Sequence, residues 1–398
     1  MGRLNPGRRA ALKALIAVED GAYAEEELSR LAPDSGSDRG LAWHLCLGTL
    51  RLQGSIDSAL KPHLRTPIGK LDVAVRCALR LGTFECTQSR TPARAAVDQA
   101  VEAVRAVGYG RASGFVNAVL RKVADANLDT SADTNLPSWL AERWKGYDEW
   151  IARIQVPARI NLAGDECPTL EGCVPASVGG QTVPKLWQVP TGLGQVSTLP
   201  GFKEGRYWVM DPAAAHVADI LSRAMGASGT ILDACAAPGG KSFRLAQHGH
   251  AVTALDRDQK RLERMAENLE RLHLSIDMVR HDWMGGSMKG LGLFDGVLVD
   301  APCSALGTVR RHPEILWRRR PGDVPAMAVA QRTILAHASE HVRPGGVLVY
   351  AVCSTEPEEG IKVAESLEGW KVSQKWDSVP PRGDEDAFQA FLLEREKV

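Results

Sequence analysis

The chain has 398 residues, 44% of them hydrophobic, and its 48 basic and 48 acidic side chains leave a formal net charge of zero. That length and apolar content suffice for two or three globular domains, while the charge balance excludes a general polyanion-binding field and leaves only a local basic patch for any nucleic acid. No run of eighteen apolar residues occurs and the first residues lack a signal-peptide core, so no membrane-spanning helix and a soluble, cytoplasmic protein are expected.

In chain order, Pro6 to Val123 reads as all-helical. Leu12, Leu15 and Ile16 form one stripe, and Val97, Val101 and Val104 another, at the three-and-four spacing of a helix face. Thr91-Pro92-Ala93 is an entry to the second helix, with proline near its start. Helices of this kind bury their stripes against one another, which predicts a bundle over residues 1–125. Arg3, Arg8, Arg9, Arg111, Arg121 and Lys122 can reach phosphates, although scattered arginines ordinarily face only solvent. Ala124–Pro137 is polar and reads as a linker. Trp139–Ile154 looks helical, and Glu166–Gly205, rich in Gly, Pro and Val, predicts a small sheet with many turns. Residues 136–205 are therefore expected to form a small α/β module. A helix over Pro212–Met225 opens a third domain, 206–398.

The stretch Ile231–Ser242 organises that third domain. Thr230-Ile231-Leu232 suits a buried strand, Pro238-Gly239-Gly240 a tight turn, and Lys241–Gln247 the first turns of a helix. Strand, glycine turn and helix in that order offer backbone N–H groups to a ligand. The text is neither G-x-x-x-x-G-K-[ST] nor G-x-G-x-x-G, so phosphate and dinucleotide binding are not the first reading. His250–Asp256 is a second strand ending in an acid, 23 residues after Asp233, the spacing that sets a carboxylate on ribose hydroxyls. Asp282 follows a short apolar stretch, and Phe294–Asp300 is a third strand ending in an acid. Aspartate favours strand-to-loop turns, which explains one such acid but not four beside a glycine loop. Leu262, Met265, Leu269 and Leu272 are the core face of an intervening helix, Met327–His341 is another helix, and Val347–Val352 another strand. This alternation predicts a doubly wound, mostly parallel sheet with its crevice at the strand carboxyl ends.

At this point the text resembles a family. Asp233-Ala-Cys-Ala-Ala-Pro-Gly-Gly-Lys-Ser, Asp300-Ala-Pro-Cys-Ser and Val352-Cys353-Ser354 resemble the signature segments of S-adenosylmethionine-dependent RNA cytosine-5 methyltransferases. From Pro6 onward the chain resembles the bacterial RsmB (Sun) branch, which methylates small-subunit ribosomal RNA. Leu79-Arg80-Leu81-Gly82 and Phe115–Arg121 also sit where that branch has similar text. The resemblance implies an all-α NusB-like RNA-binding bundle, a small α/β linker module and a Rossmann-like catalytic domain. It implies cofactor contacts from Cys235, Ala236, Ala237, Pro238, Gly239, Gly240, Lys241, Asp256, Arg261, Asp282 and Asp300, and RNA contacts from Arg159. The chain departs from the branch at Ala305, usually Gly, at Val352, usually Thr, and at Gly360, commonly Asn. A monomer with small-subunit ribosomal RNA as partner and no metal is expected.

Eight cysteines, at 46, 77, 86, 167, 173, 235, 303 and 353, include no C-x-x-C pair, which argues against a zinc site and a disulfide framework. C5 of cytosine is a poor nucleophile. A thiolate adding to C6 pushes electron density onto C5, which then attacks a sulfonium methyl. Asp300 lies three residues before Cys303, close enough to contact the N3 and N4 edge of the base. In the family pattern Cys353 is the nucleophile and Cys303 assists release. Cys46, Cys77, Cys86 and Cys235 read as small core filler. Thr355-Glu356-Pro357-Glu358 fits a capping box, which would set Cys353 just ahead of a helix N-terminus that favours a thiolate. Arg310, Arg311, Arg318, Arg319 and Arg320, with Trp317 between them, suit backbone contact and base stacking on unpaired RNA. Other readings stay open: a cytosine-5 methyltransferase acting on tRNA, a methyltransferase for protein or a small molecule, or a non-catalytic RNA-binding assembly factor.

Overall fold

The computed structural model describes residues 4–34 and 36–396. Its contacts divide the chain into two compact units, one of residues up to Pro157 together with Val309–Arg318, the other of Ala158–Thr308 and Arg319 onward. Among the described residues no helix is long and apolar enough to cross a membrane.

The first unit is helical. Helices α1 (Pro6–Glu19), α2 (Ala24–Leu31), α3 (Ser37–Arg51), α4 (Gln53–Leu60), α5 (Val73–Gln88), α6 (Ala93–Ala106) and α7 (Ser113–Val123) surround one core that includes Leu12, Leu15, Leu45, Leu79, Val97, Val104 and Leu120. The Asn5 side chain caps α1 by accepting the N–H of Arg8. The expected helix Trp139–Ile154 is two, α8 (Ser138–Arg143) and α9 (Asp148–Ile154), because Gly146 between them takes a left-handed φ of 90°. A late helix, α13 (Glu314–Arg318), completes this unit.

The second unit holds two sheets. The small antiparallel sheet has the order β2-β3-β1-β4, with β1 (Asn161–Ala163), β2 (Val174–Val178), β3 (Gln181–Gln188) and β4 (Trp208–Val209). Helix α10 (Pro212–Met225), capped by Asp211, packs beneath it. Ala163, Ala176, Val183 and Leu186 of the small sheet share one core with Ala215, Val217 and Leu221 of α10 and with Leu298 and Val349 of the large sheet. That shared core is why the chain divides at 157/158, whereas the sequence suggests a boundary near 205.

The large sheet has the order β10-β11-β9-β8-β5-β6-β7, from β5 (Thr230–Asp233), β6 (Ala251–Asp256), β7 (Asp277–Arg280), β8 (Phe294–Asp300), β9 (Val342–Val352), β10 (Trp370–Asp377) and β11 (Gln389–Arg395). All its pairings are parallel except those of β11. Helices α11 (Gly240–Gln247), α12 (Gln259–Leu272) and α14 (Asp323–Ser339) wind between the strands, as the alternation predicts. Strand order reverses at β5, which has β6 on one side and β8 on the other. In such sheets the ligand crevice opens at that switch point, at the strand carboxyl ends.

Candidate active site

The glycine turn is fastened to both neighbours of β5. The N–H of Ala234 donates to Leu298 O at 2.9 Å and that of Ala236 to Leu255 O at 2.9 Å. Gly239 takes φ 111°, and a Cβ there would lie 2.3 Å from the Phe243 ring, so the turn needs glycine. A Cβ on Gly240 would meet nothing within 4 Å, so the N-terminus of α11 opens onto free space. Asp256 ends β6 buried; its carboxylate accepts the N–H of Ala237 at 3.1 Å and of Asp258 at 2.9 Å. Arg261 stands 3.4 Å from the same carboxylate and donates to the Ala237 carbonyl. Asp282 accepts the N–H of Met284 and, with Arg257, Asp258, Gln259, Arg280 and His281, lines an open cleft of about 550 Å³ beyond β6 and β7.

Lys241 and Asp300 meet at 2.6 Å. Burial disfavours the lysine charge, but the adjoining Asp300 outweighs it and holds the ammonium pKa above its ordinary value. Behind this pair sits Asp233, which the sequence marks only as a strand end. It is 1% exposed, accepts the Ser242 hydroxyl at 2.6 Å, and keeps a second oxygen buried without a hydrogen-bond partner. Burial pushes its pKa up to about 7. Burial, with Asp233 and Asp256 nearby, pushes the Cys235 thiol well up. It does the same to Cys46, to Cys77 (about 12) and to Cys86 (about 11).

Cys303 and Cys353 follow the ends of the adjacent parallel strands β8 and β9, and their Sγ atoms lie 3.3 Å apart. Its hydrogen bond with Cys353, then burial, push the Cys303 thiol well above its ordinary range. The capping-box expectation fails. Glu356–Gly360 forms hydrogen-bonded turns, and the short helix α15 (Ile361–Ala364) starts only after Gly360. The Thr355 hydroxyl bonds Glu356 Oε1, and among the described residues the first α-helix after Cys353 starts eight residues on, at Ile361. Glu359, which sequence reasoning passed over, is fully buried and accepts from Ser304, Ser354 and Gln331.

The three departures have structural settings. Ala305 adopts φ 61°, a conformation suited to glycine. Val352 is fully buried in β9. A Cβ on Gly360 would lie 2.1 Å from Gln389 Oε1.

Within the arginine segment, Arg310 needs correction as an RNA contact, and Arg318 and Trp317 are held by the helical unit. Arg310 is 3% exposed and donates to the carbonyl of Val156 at 3.2 Å, while Arg318 donates to Ala22 O at 2.8 Å and stacks over Tyr23. Trp317 donates its indole N–H to Leu50 O at 2.7 Å. These groups satisfy part-buried carbonyls of the helical unit, and the buried Arg310 is not displayed to phosphates or bases. Arg311 is half-buried in the same segment. Arg159 is 54% exposed and faces Gln188 and Asp384. Arg8 pairs with the buried Glu85, Arg111, Arg121 and Lys122 are exposed, and Arg3 lies outside the described residues.

Residues 223–381 match the family described as 16S rRNA methyltransferase RsmB/F, and residues 5–125 match the NusB family. The chain is 35% identical over 369 residues to ribosomal RNA small subunit methyltransferase B of Xylella fastidiosa (strain 9a5c), covering 87% of this chain and 86% of that protein. It is 33% identical over 395 residues to the protein of the same name from Pseudomonas putida, covering 92% and 89%. The crystal structure of PH0851 has the same fold, with TM-score 0.82 at 21% identity over 99% of this chain and 100% of that one.

Proposed function

The chain belongs to the RsmB/F family of 16S rRNA methyltransferases, and from that membership we propose that it methylates C5 of a cytosine in 16S ribosomal RNA through a covalent bond between Cys353 and C6. The family's methyl donor is S-adenosylmethionine, and the crevice suits it. The open N-terminus of α11, an acid at each neighbouring strand end and the partnerless Asp233 oxygen form a donor and acceptor set for a charged nucleoside. In this reading Ala234–Lys241 and Arg261 shape the floor, Asp256 accepts ribose hydroxyls, Asp282 neighbours the adenine and Asp300 the methionine end. Once bound, the cofactor supplies the sulfonium methyl that an activated C5 attacks.

The chain's own contribution is activation and release. Cys353 adds its sulfur to C6 and leaves electron density on C5. Asp300, fixed by Lys241 at 2.6 Å, contacts the N3 and N4 edge of the base. After methylation a base, with Cys303 assisting, takes the C5 proton; the pair left on C5 forms the C5–C6 double bond, and the C6–sulfur bond breaks with its pair returning to Cys353 as thiolate. Exposed Arg159 contacts the RNA backbone, and the helical unit, of which Arg311 is part, contributes RNA affinity by itself. The observation that carries the reading is the pair of thiols 3.3 Å apart beside the glycine turn, because methylating nitrogen or oxygen requires no thiol at all.

The test uses labelled S-adenosylmethionine and 16S RNA. Cys353→Ala abolishes both 5-methylcytosine and any protein–RNA adduct. Cys303→Ala accumulates an adduct that runs slowly on a denaturing gel, and the double variant loses that band. A band from Cys353→Ala that vanishes in Cys303→Ala would reverse the two roles, and full methylation by Cys353→Ala would end the covalent reading.

A further inference from the structure

We propose that Glu359 is a positioning residue that holds the two cysteine loops in register, so that one buried carboxylate sets the separation of the two sulfurs. The inference rests on the thiol chemistry proposed above, but its geometry stands independently. The loops that carry Cys303 and Cys353 come from different strands, 50 residues apart in sequence. Past the strand ends the backbone joins them at Ala301 N–H to Ala351 O (2.9 Å) and Gly307 N–H to Cys353 O (3.0 Å), neither of which involves Cys303 or the residue after either cysteine. At the residues that directly follow the two cysteines, the link is a side chain. Glu359 Oε1 accepts the N–H of Ser304 at 2.7 Å and the Gln331 amide at 3.1 Å. Its Oε2 accepts the hydroxyls of both Ser304 and Ser354, which are 3.2 Å from each other.

Each serine directly follows one of the cysteines, so a carboxylate that grips both serines sets the spacing of both sulfurs. The rest of the network braces that grip. Gln331, in the middle of α14, also donates to Pro302 O at 3.0 Å, on the other side of Cys303. Gln389 of β11 donates to Ser354 O at 2.9 Å and to Glu356 O at 3.0 Å, on the far side of Cys353. The Tyr350 hydroxyl donates to the main-chain carbonyl of Glu359 itself. Glu359, Ser304, Ser354 and Gln331 are all 0% exposed. Water cannot replace a bond lost there, and the remaining side-chain anchors, Gln331 on Pro302 O and Gln389 on Ser354 O, each hold one loop and not the pair. None of these hydrogen bonds runs to the glycine turn, so register of the thiols and affinity for the cofactor are separable.

The test reads the register without RNA. Diamide, an azo oxidant, takes two protons and two electrons from a pair of thiols, giving a disulfide and a hydrazine, and it does so quickly only when the sulfurs are held together. The rate of Cys303–Cys353 disulfide formation is followed by peptide mass spectrometry in the full chain. Alongside it, kcat and KM are measured on 16S RNA, and cofactor affinity by calorimetry. Glu359→Ala is expected to slow disulfide closure and lower kcat by about ten- to a hundredfold, the effect of a misplacement near 1 Å. KM for RNA and cofactor affinity should stay within about threefold, which a general loss of structure would not allow.

Glu359→Gln is expected to restore closure and kcat to within about threefold of the parent. Its carbonyl takes the Ser304 N–H and Gln331, and its amide donates to the two serine hydroxyls, which accept as readily as they donate. If Glu359→Ala does not fold, Ser304→Ala/Ser354→Ala carries the test, since it keeps the carboxylate but releases both loops and must also slow closure. Closure and turnover at the parent rate in Glu359→Ala, or in the double variant, would overturn the proposal, as would Glu359→Gln failing as badly as Glu359→Ala. Methylation that survives Cys353→Ala would refute the covalent reading instead, and leave the RNA-free closure rate to decide this one.

Discussion

Replacing Asp233 by Asn removes a buried ionisable group while keeping an oxygen for the Ser242 hydroxyl, now 2.6 Å away. Burial raises the carboxyl from its ordinary 3.8 to about 7, so the folded protein favours the protonated acid and the unfolded chain the ionised one. The stability this proton contributes is complete below about pH 3.8, falls as pH rises, and is gone above about pH 7. Over that window, at 1.36 kcal/mol per pH unit, the loss is at most about 4 kcal/mol. Asn does not ionise, so the variant escapes it. For a unit of some 150–250 residues this corresponds to roughly 10 °C in the midpoint of its unfolding transition. Scanning calorimetry of both proteins from pH 4 to 9 at fixed ionic strength isolates the effect, since other titrating groups cancel in the difference. The difference should rise from about pH 4, level off above about pH 7, and favour Asn. Parallel curves across pH 5 to 8 would refute the account of Asp233 as a neutral buried acid.

Asp256→Ala should weaken cofactor binding about ten- to a hundredfold, as expected for a charge-assisted hydrogen bond worth roughly 1.5–3 kcal/mol; unchanged affinity by calorimetry would remove Asp256 from the ribose site. Ala305→Gly should relieve a left-handed alanine at φ 61° and raise stability by roughly 1 kcal/mol, read as a higher midpoint for the second unit; a lower midpoint would contradict the strain. Arg310→Ala should destabilise the helical unit by about 1 kcal/mol by removing its hydrogen bond to the part-buried Val156 carbonyl yet leave the salt dependence of RNA binding unchanged; a slope reduced by about one would return Arg310 to the phosphates.

The parts of the chain that were legible in the sequence are those whose physics is local. β8 reads correctly as Phe294–Asp300 and α10 as Pro212–Met225, because an apolar run ending in an acid and a proline-started stripe need no distant partner. The glycine turn is legible because its conformation excludes other residues. The capping box misleads because Glu358 fits its spacing, while the segment is governed by Glu359, whose partners lie 28 and 55 residues away in sequence. Gln331 gives no signal, since a polar residue in a helix ordinarily marks the outer face. β10 is an edge strand with most of its side chains exposed, so it lacks the apolar run that identifies β8. The arginine segment misleads in the opposite sense: charge spacing reports composition, and only the fold shows that the carbonyls of Val156 and Ala22 receive those guanidiniums.

Because Val309–Arg318 belongs to the helical unit, that unit is unfinished for most of the time the ribosome spends on the chain. Its first seven helices have been made by Val123, but the N–H of Ala24 and the carbonyls of Ala22 and Leu50 wait for Glu314, Arg318 and Trp317. Nearly two hundred residues separate the two events, a delay of roughly 10 to 40 s at ordinary rates of synthesis. During that interval the nascent bundle carries an unfilled seat for Ile315 and Leu316, each 2% exposed once docked. A fragment that stops at Pro157 therefore lacks part of the helical unit, and one that starts at Ala158 carries the missing piece with no seat to receive it.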